Sequence, residues 1–461
     1  MNIGSEMQEI SSNNKRIAKN TLLLYFRMLV TMAVSLYTSR VVLNILGVED
    51  FGIYNVVGGI VAMFGFINGS MTSATQRYLT FELGQNNRAQ LTKVFSTSLS
   101  IHGIISFLII VLAETVGLWF LWNKMQIPAD RMNAAFWVFQ CSVAASVIMI
   151  MSVPYNAAII AHERMSAFAY ISIIEVSLKL LIVCFLRYFH TDKLILYAAL
   201  IVIVQFLIRL CYSWYCNRHF NETKYRWSWD KGLFKEMTGF ASWNMFGSLA
   251  AITFTQGLNL LLNMFFGPVV NAARGIAVQA QTAIGQFSSN FQTALNPQIT
   301  KSYATGDMEY MHGLIFRSAK FSFFLLLLLS LPVLIETKAI LTLWLKIVPD
   351  HTVVFLRIML CTTWVYAVSN PLITAASATG KIKLYQSVVG GLLLLILPIS
   401  YLCLRFGLPA YSVFIVHFVM EITAQFARLL MLRRMIRLSL REYFAKVIWS
   451  ISKVTAIALA V

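Results

Sequence analysis

VPYNAAIIAHER (153–164) and NPLITAASATGK (370–381) carry the same punctuation twice: a proline inside an apolar helix, then a turn-forming polar group. Pro154 is followed by Ala161, His162, Glu163 and Arg164, and Pro371 by Ala378, Thr379, Gly380 and Lys381 at the same spacing. Other landmarks recur in the same order. Gly47 and Gly267 end the first long apolar segment of each half, Gly84 and Gly306 mark the next loops, and Trp119 and Trp344 lie near the ends of the segments that follow. The chain therefore reads as a duplicated bundle, an arrangement common among secondary transporters, which bind substrate where the repeats meet.

Composition makes the bundle a membrane one. Of 461 residues 58% are hydrophobic and 12% charged, where a soluble domain carries about 25% charge; mean hydropathy is +0.70. A spanning helix takes about 20 predominantly apolar residues. Twelve such segments can be marked, at 17–46, 53–75, 94–122, 133–160, 166–188, 194–216, 239–266, 272–299, 316–345, 353–377, 384–404 and 409–432. A thirteenth begins near 444 and runs to Val461 with no polar tail, so a short or cut-off last helix is expected.

The expected fold class is an all-α polytopic membrane protein with two pseudo-symmetric six-helix lobes around a central cleft, plus a partial thirteenth helix. The lobes are placed at 1–216 and 239–435, with a polar linker at 217–238 and an amphipathic connector at 436–461. Six helices per repeat put both lobes the same way up, related by an axis along the membrane normal.

The net charge of +18 is topological. One set of helix ends collects most of it, through residues such as Arg88, Lys93, Arg218, Lys231, Arg317, Arg428 and Arg434. The opposite ends hold Lys124, Arg131, Arg187, Lys193, Arg274, Lys346 and Arg405. The positive-inside rule puts the first set and the N-terminus in the cytoplasm. With its charge spread in this way, and no basic domain, RNA motif or zinc spacing, the chain is not expected to bind nucleic acid or a metal. Cys141, Cys184, Cys211, Cys216, Cys361 and Cys403 fall in helices without C-x-x-C spacing and read as reduced core residues. The polar first 20 residues show no signal peptide.

The chemistry must come from polar groups within the helices. Asn20, Arg27, Thr31, Ser35 and Thr38 share a face of the first helix, and Asn244, Ser248, Thr255, Asn259 and Asn263 repeat the stripe in the second half. The next helix carries Thr282, Gln286, Ser289, Thr293 and Asn296. Hydroxyls between packed transmembrane helices often serve only as interhelical glue. Three long stripes, two on equivalent helices, point instead to a shared aqueous cleft.

Embedded charges narrow the reading. An arginine at a helix centre costs about 2.5–3.5 kcal/mol on translocon scales, so it faces a cavity or a partner. Arg27 is the foremost candidate for substrate contact; Lys179, Arg40, Arg274 and Arg357 follow, the last three close enough to helix ends to snorkel. Asn244, Asn259 and Gln286 complete the substrate-binding set. Embedded acids are confined to Glu114, Glu175 and Glu421, all six aspartates being placed in loops or at helix ends. Glu175 precedes Lys179 by one turn, the order of an intrahelical ion pair. His417 lies one turn before Glu421 and Arg428 two turns after it, so Glu175, His417 and Glu421 are the candidates for ion coupling, with structural hydrogen bonding as the alternative. A cationic cleft poor in acids suits an anion, and arginine matches phosphate oxygens in a bidentate fork.

Three stretches add a family resemblance. SRVVLNILGVEDFGIYNVVGGIV (39–61), SATQRYLTFELGQ (73–85) and VPYNAAIIAHERMSAFAYISIIE (153–175) resemble the Wzx-type polysaccharide-export flippases of the multidrug/oligosaccharidyl-lipid/polysaccharide (MOP) superfamily, which includes the MATE transporters. The resemblance implies a bacterial inner-membrane protein that flips undecaprenyl-diphosphate-linked oligosaccharide by alternating access for surface polysaccharide such as lipopolysaccharide O-antigen. It implies an ion gradient of Na+ or H+ as the drive and no other cofactor. The implied partners are the lipid-linked oligosaccharide, membrane lipids, and polysaccharide polymerase or glycosyltransferases. No aspartate is embedded in the first helix, so the family's coupling residues do not carry over.

Two alternatives share the features above: a cation-coupled multidrug exporter of the same fold, which needs an acidic pocket, and a non-transporting scaffold for glycan assembly. An enzyme is not expected, because no nucleophile, base and orienting group come together, and no G-x-x-x-x-G-K-[ST] phosphate loop marks an ATPase.

Overall fold

The computed structural model describes residues 3–62, 65–123, 125, 127–189, 191–224, 230–345 and 348–460, and within them it is helical throughout, with no strand. Two compact units, Met1–Ala241 and Ser242–Val461, divide the chain. In the first unit the order is α1 (Ile3–Ala62), α2 (Gly65–Gly84), α3 (Arg88–Leu112), α4 (Leu118–Asn123), α5 (Met132–Ala161), α6 (Met165–Leu186) and α7 (Lys193–His219). Helix α8 (Lys231–Phe266) contains the division, so the last part of the 217–238 stretch is helical. The second unit continues with α9 (Pro268–Thr305), α10 (Met308–Ile335), α11 (Thr337–Leu345), α12 (Thr352–Ala378), α13 (Lys383–Arg405), α14 (Ser412–Met435), α15 (Leu440–Tyr443) and α16 (Trp449–Ala460).

Among the described residues ten helices are long and apolar enough to cross a membrane, and the chain is a multi-pass membrane protein. The expected segment at 272–299 is present as α9, whose amide and hydroxyl side chains hold its hydropathy below that of its neighbours. The segment at 53–75 falls on the end of α1 and the start of α2, with residues 63–64 outside the described set. The expected thirteenth helix is α16, reached from α15 through a π-helical turn at Phe444–Ile448.

Both units use the same backbone devices at matched places. Gly47 (φ 81°, ψ 171°) breaks α1, and Gly267 (φ 79°, ψ −173°) separates α8 from α9, in a region essentially restricted to glycine. Such a residue redirects the chain without a loop. The next break differs from the sequence expectation: the left-handed partner of Gly306 (φ 78°) is Asn86 (φ 55°), not Gly84. Directly after each comes a side-chain cap, Asn87 Oδ1 accepting from Gln90 N at 3.2 Å and Asp307 Oδ1 from Tyr310 N at 3.0 Å. After the prolines, Gly380 (φ 75°) has Glu163 (φ 58°) as its counterpart. Arg16 holds that Glu163 carboxylate at 2.9 Å, and Asn20 donates to its carbonyl at 3.3 Å, tying α1 to the end of α5.

The helix that carries Pro154 in the first unit, and Pro371 in the second, is the hub of its unit. In the first, α5 packs on α1, α2, α3 and α7; in the second, α12 packs on α9, α10 and α14. Its apolar side chains fill the cores, Ala135, Val138 and Phe139 in the first and Phe355, Leu356 and Leu360 in the second. At Gly117, in the π-helical turn Ala113–Gly117, a Cβ would come within 2.7 Å of Phe139, so glycine admits the ring.

At the other end of the first unit Arg131 donates to Asp50 (2.9 and 2.5 Å) and to Asp192 (2.8 Å). Asp50 lies three residues beyond the break at Gly47, at the start of the helical run that follows it. Asp192 also caps α7. Burial works to raise its carboxyl, but the hydrogen bonds from Arg131 and the backbone prevail and hold it below the usual range.

A Cβ at Gly267 would meet nothing within 4 Å, so its constraint is purely torsional. Gly267→Ala is expected to cost about 1–3 kcal/mol, whereas Gly275→Ala inside α9 should be neutral or stabilise by up to about 1 kcal/mol. Thermal unfolding of the two variants in detergent checks the difference; equal melting temperatures would remove the torsional argument.

Candidate functional site

In the first unit the polar centre is built by α1, α6 and α7. Glu175 Oε1 accepts from Lys179 Nζ at 2.6 Å and from Gln205 Nε2 at 3.1 Å, so the carboxylate is locally neutralised. Arg27 lies half-buried with its guanidinium 4.3 Å from the centroid of Phe168. Its Nε is buried and has no hydrogen-bond partner among the described residues, while Glu175 and Tyr212 lie within electrostatic reach. Arg209, which the sequence reading passed over, donates to the Met151 carbonyl in the turn before Pro154 and stands 5.4 Å from the ring of Tyr155. Arg27 and Lys179 thus share one nearby acid, Glu175. Glu114 lies elsewhere, accepting from Gln140 at 3.2 Å.

The second unit spends its charges differently. Arg274, 6% exposed, donates to Asn259 Oδ1 and to the Thr255 carbonyl, so two sequence candidates meet, while its Nε, like that of Arg27, is buried without a partner among the described residues. Arg357 is exposed and closes the end of α10, donating to Thr337 Oγ1 at 3.0 Å and the Ile335 carbonyl at 3.3 Å. Asn244 accepts from Gln386 at 3.0 Å. The side chain of Arg40 lies outside the described residues. Gln286, His417 and Glu421 come together: they line a cavity of about 410 Å³ with α8, α9, α12 and α14 as its walls. His417 packs against Phe254, ring centroids 4.8 Å apart.

A buried network forms one side of that cavity. Arg428 donates to Glu421 at 2.7 Å, to Ser369 Oγ at 3.0 Å and to Tyr385 Oη at 3.3 Å. Ser369 donates to Gln425 at 2.6 Å, and Gln425 donates to Tyr443 Oη at 3.2 Å. The connector helix α15 is thereby joined to the site. Arg428 is 3% exposed, so it belongs to this network and not to the cytoplasmic charge set in which the sequence placed it. Arg209 and Arg428 occupy corresponding places in α7 and α14, and each reaches the turn before its unit's hub proline. Superimposing the repeats in sequence was the signal available for Arg209.

A second cavity, of about 390 Å³, lies in the first unit between the α2–α3 turn and the α7 end. His162 stacks on Phe220 (4.0 Å) and is 2.5 Å from Glu222. Burial works to raise the Glu222 carboxyl, yet hydrogen bonds from His162 and the backbone, with the charges of His162 and Arg88, bring it below its usual value.

The fold is that of the MATE transporters. It matches a MATE crystal structure in a bent conformation over 96% of this chain and 97% of that one (TM-score 0.81, 12% identity). It matches the Vibrio cholerae MATE transporter VcmN in a bent form over 95% and 99% (0.77, 16%). A MOP superfamily transporter from Pyrococcus furiosus, described as having a binding pocket of reversed polarity that suggests a different function, matches over 92% and 96% (0.78, 13%). No curated protein sequence matches the chain. Residues 17–303 match the family described as polysaccharide biosynthesis protein, and the chain belongs to that family.

Removing one partner of a buried ion pair strands the other charge, at about 3–5 kcal/mol, whereas replacing both by apolar residues is often neutral. Arg428→Met is expected to destabilise the protein by that amount, and Glu421→Leu with Arg428→Met to recover most of it. Thermal unfolding of the wild type, both single variants and the double variant reads the coupling; additive losses would show that the pair is not a unit.

Proposed function

We propose that the protein flips an undecaprenyl-diphosphate-linked oligosaccharide across the bacterial inner membrane by alternating access, without covalent chemistry, for surface polysaccharide assembly. The observation that carries this reading is Arg27: a half-buried guanidinium in an expected spanning segment, with an unpartnered Nε, beside a carboxylate already engaged by Lys179 and Gln205. Its unspent donor suits the oxygens of a diphosphate. The lipid tail stays in the bilayer, so only the headgroup needs polar contacts. Membership of the polysaccharide biosynthesis family supports the glycan part of the substrate.

A multidrug exporter on this fold needs a free carboxylate for its cation. Glu175 and Glu421 are each held by a cation of their own unit, at 2.6 and 2.7 Å, which weighs against that reading. Polarity, not fold, separates the two, and Arg27 and Lys179 outnumber the one acid, Glu175, at the polar centre of the first unit. Na+ or H+ remains the coupling ion in the proposal, with His417 and Glu421 as its candidate sites. Polymerase or glycosyltransferases are the partners that would supply or consume the glycan.

Arg27→Ala is expected to abolish surface glycan display while the protein stays in the membrane at wild-type level, with lipid-linked glycan accumulating on the cytoplasmic face. Arg27→Lys should restore only part of the export, because an ammonium lacks the guanidinium fork. Normal display by Arg27→Ala, scored with a surface lectin or antiserum alongside immunoblots of membranes, removes Arg27 from the mechanism. Saturable extrusion of a lipophilic cationic dye by the wild type would favour the exporter.

A further inference from the structure

The cavity of the second unit presents a chemistry unlike that of the Arg27 region. Gln286 and Asn370 line it, and neither side-chain amide has a hydrogen-bond partner among the described residues. An amide offers two donors and two acceptor lone pairs, so these two groups can both give and take hydrogen bonds. Ser289 adds a hydroxyl, and the rings of Tyr366 and Phe254 supply flat apolar faces on the same lining.

The arginine and the carboxylate at this cavity are spent on each other, while His417 packs on Phe254. Arg428 is committed to Glu421, Ser369 and Tyr385, and Glu421 is committed to Arg428. Gln281 is committed as well, to the Met359 carbonyl and Thr363. A charged substrate group entering here finds no arginine or carboxylate on the lining that is not already paired, and the proposed coupling ion is left to His417 and Glu421. Binding a charged substrate group would therefore cost its desolvation without a matching partner.

We infer that this cavity is a subsite for uncharged sugar rings, recognised through hydroxyls by Gln286, Asn370 and Ser289 and stacked on Tyr366 or Phe254. The inference rests on the flippase reading and deepens it: the glycan part of the substrate is assigned to residues other than Arg27. Its volume of about 410 Å³ falls within the roughly 300–1,000 Å³ of small-molecule sites, which are mostly apolar with a few placed polar groups. That size accommodates a mono- or disaccharide portion, not a long chain. Sites built to hydrogen-bond a hydroxyl also reject analogues lacking it, since their own groups are then left unpaired. The cavity is thus placed to select among glycans.

Gly285 gives a clean way to close it. A Cβ there would meet only Thr363 Cγ2, at 3.8 Å, so a larger side chain at this lining position enters the cavity without a clash at its base. The test uses the full chain in nanodiscs and two probes: bare undecaprenyl diphosphate, and the undecaprenyl-diphosphate-linked glycan pool extracted from the cells that make this protein. Wild type is expected to bind the glycan pool at least tenfold more tightly than the bare lipid. Gly285→Leu and Asn370→Ala should each pull that ratio toward unity, while Arg27→Ala weakens both probes and leaves the ratio standing. Equal binding of the two probes by wild type, or an unchanged ratio in both cavity variants, overturns the sugar subsite and leaves the flippase reading intact. If wild type binds neither probe, the flippase reading fails and the subsite falls with it.

Discussion

Inside a bilayer no water stands ready to satisfy a polar group, so every donor and acceptor must find its partner within the chain. The proline in the hub helix of each unit makes this constraint acute. Pro154 and Pro371 have no N–H to give to the preceding turn, and an arginine, on α7 in the first unit and on α14 in the second, comes to that turn. Arg209 donates to the Met151 carbonyl and Arg428 to Ser369. Around these contacts the hub packs on its neighbours, and the rest of each unit follows.

From this common frame the two units diverge in what they leave unspent. The first sets Arg27 and Lys179 beside Glu175 and keeps one guanidinium nitrogen of Arg27 without a partner. The second pairs Arg428 with Glu421 and leaves neutral amides facing a cavity. The acids illustrate how strongly this depends on neighbours. The one-turn spacing pairs Glu175 with Lys179, and that contact is present; Glu421, which the sequence sets beside His417, is held by Arg428.

Much of the architecture was legible from spacing. The glycine breaks at 47 and 267, the proline punctuation and the thirteenth helix appear where the sequence placed them, because backbone torsion and hydropathy are local properties. Less local features were missed or misplaced. Gly84 was chosen as the partner of Gly306, whereas Asn86 takes the left-handed turn, since asparagine tolerates that conformation and its choice depends on the cap that follows. Arg428 read as a cytoplasmic end charge, and Arg209 drew no notice, because a sequence shows how far a charge lies along a helix but not which face meets a neighbour.

The sequence by itself determined a duplicated, all-helical membrane chain, since apolar length, positive helix ends and glycine–proline punctuation act through the chain's own backbone and the bilayer. Only tertiary structure decided which polar residues are already satisfied. Arg274 and Arg357 are as cationic in sequence as Arg27, yet packing brings acceptors to two nitrogens of each, although Arg274 Nε, like Arg27 Nε, is buried without one. A hydrogen bond needs two groups within about 3 Å, and that proximity is set by helices far apart in the chain.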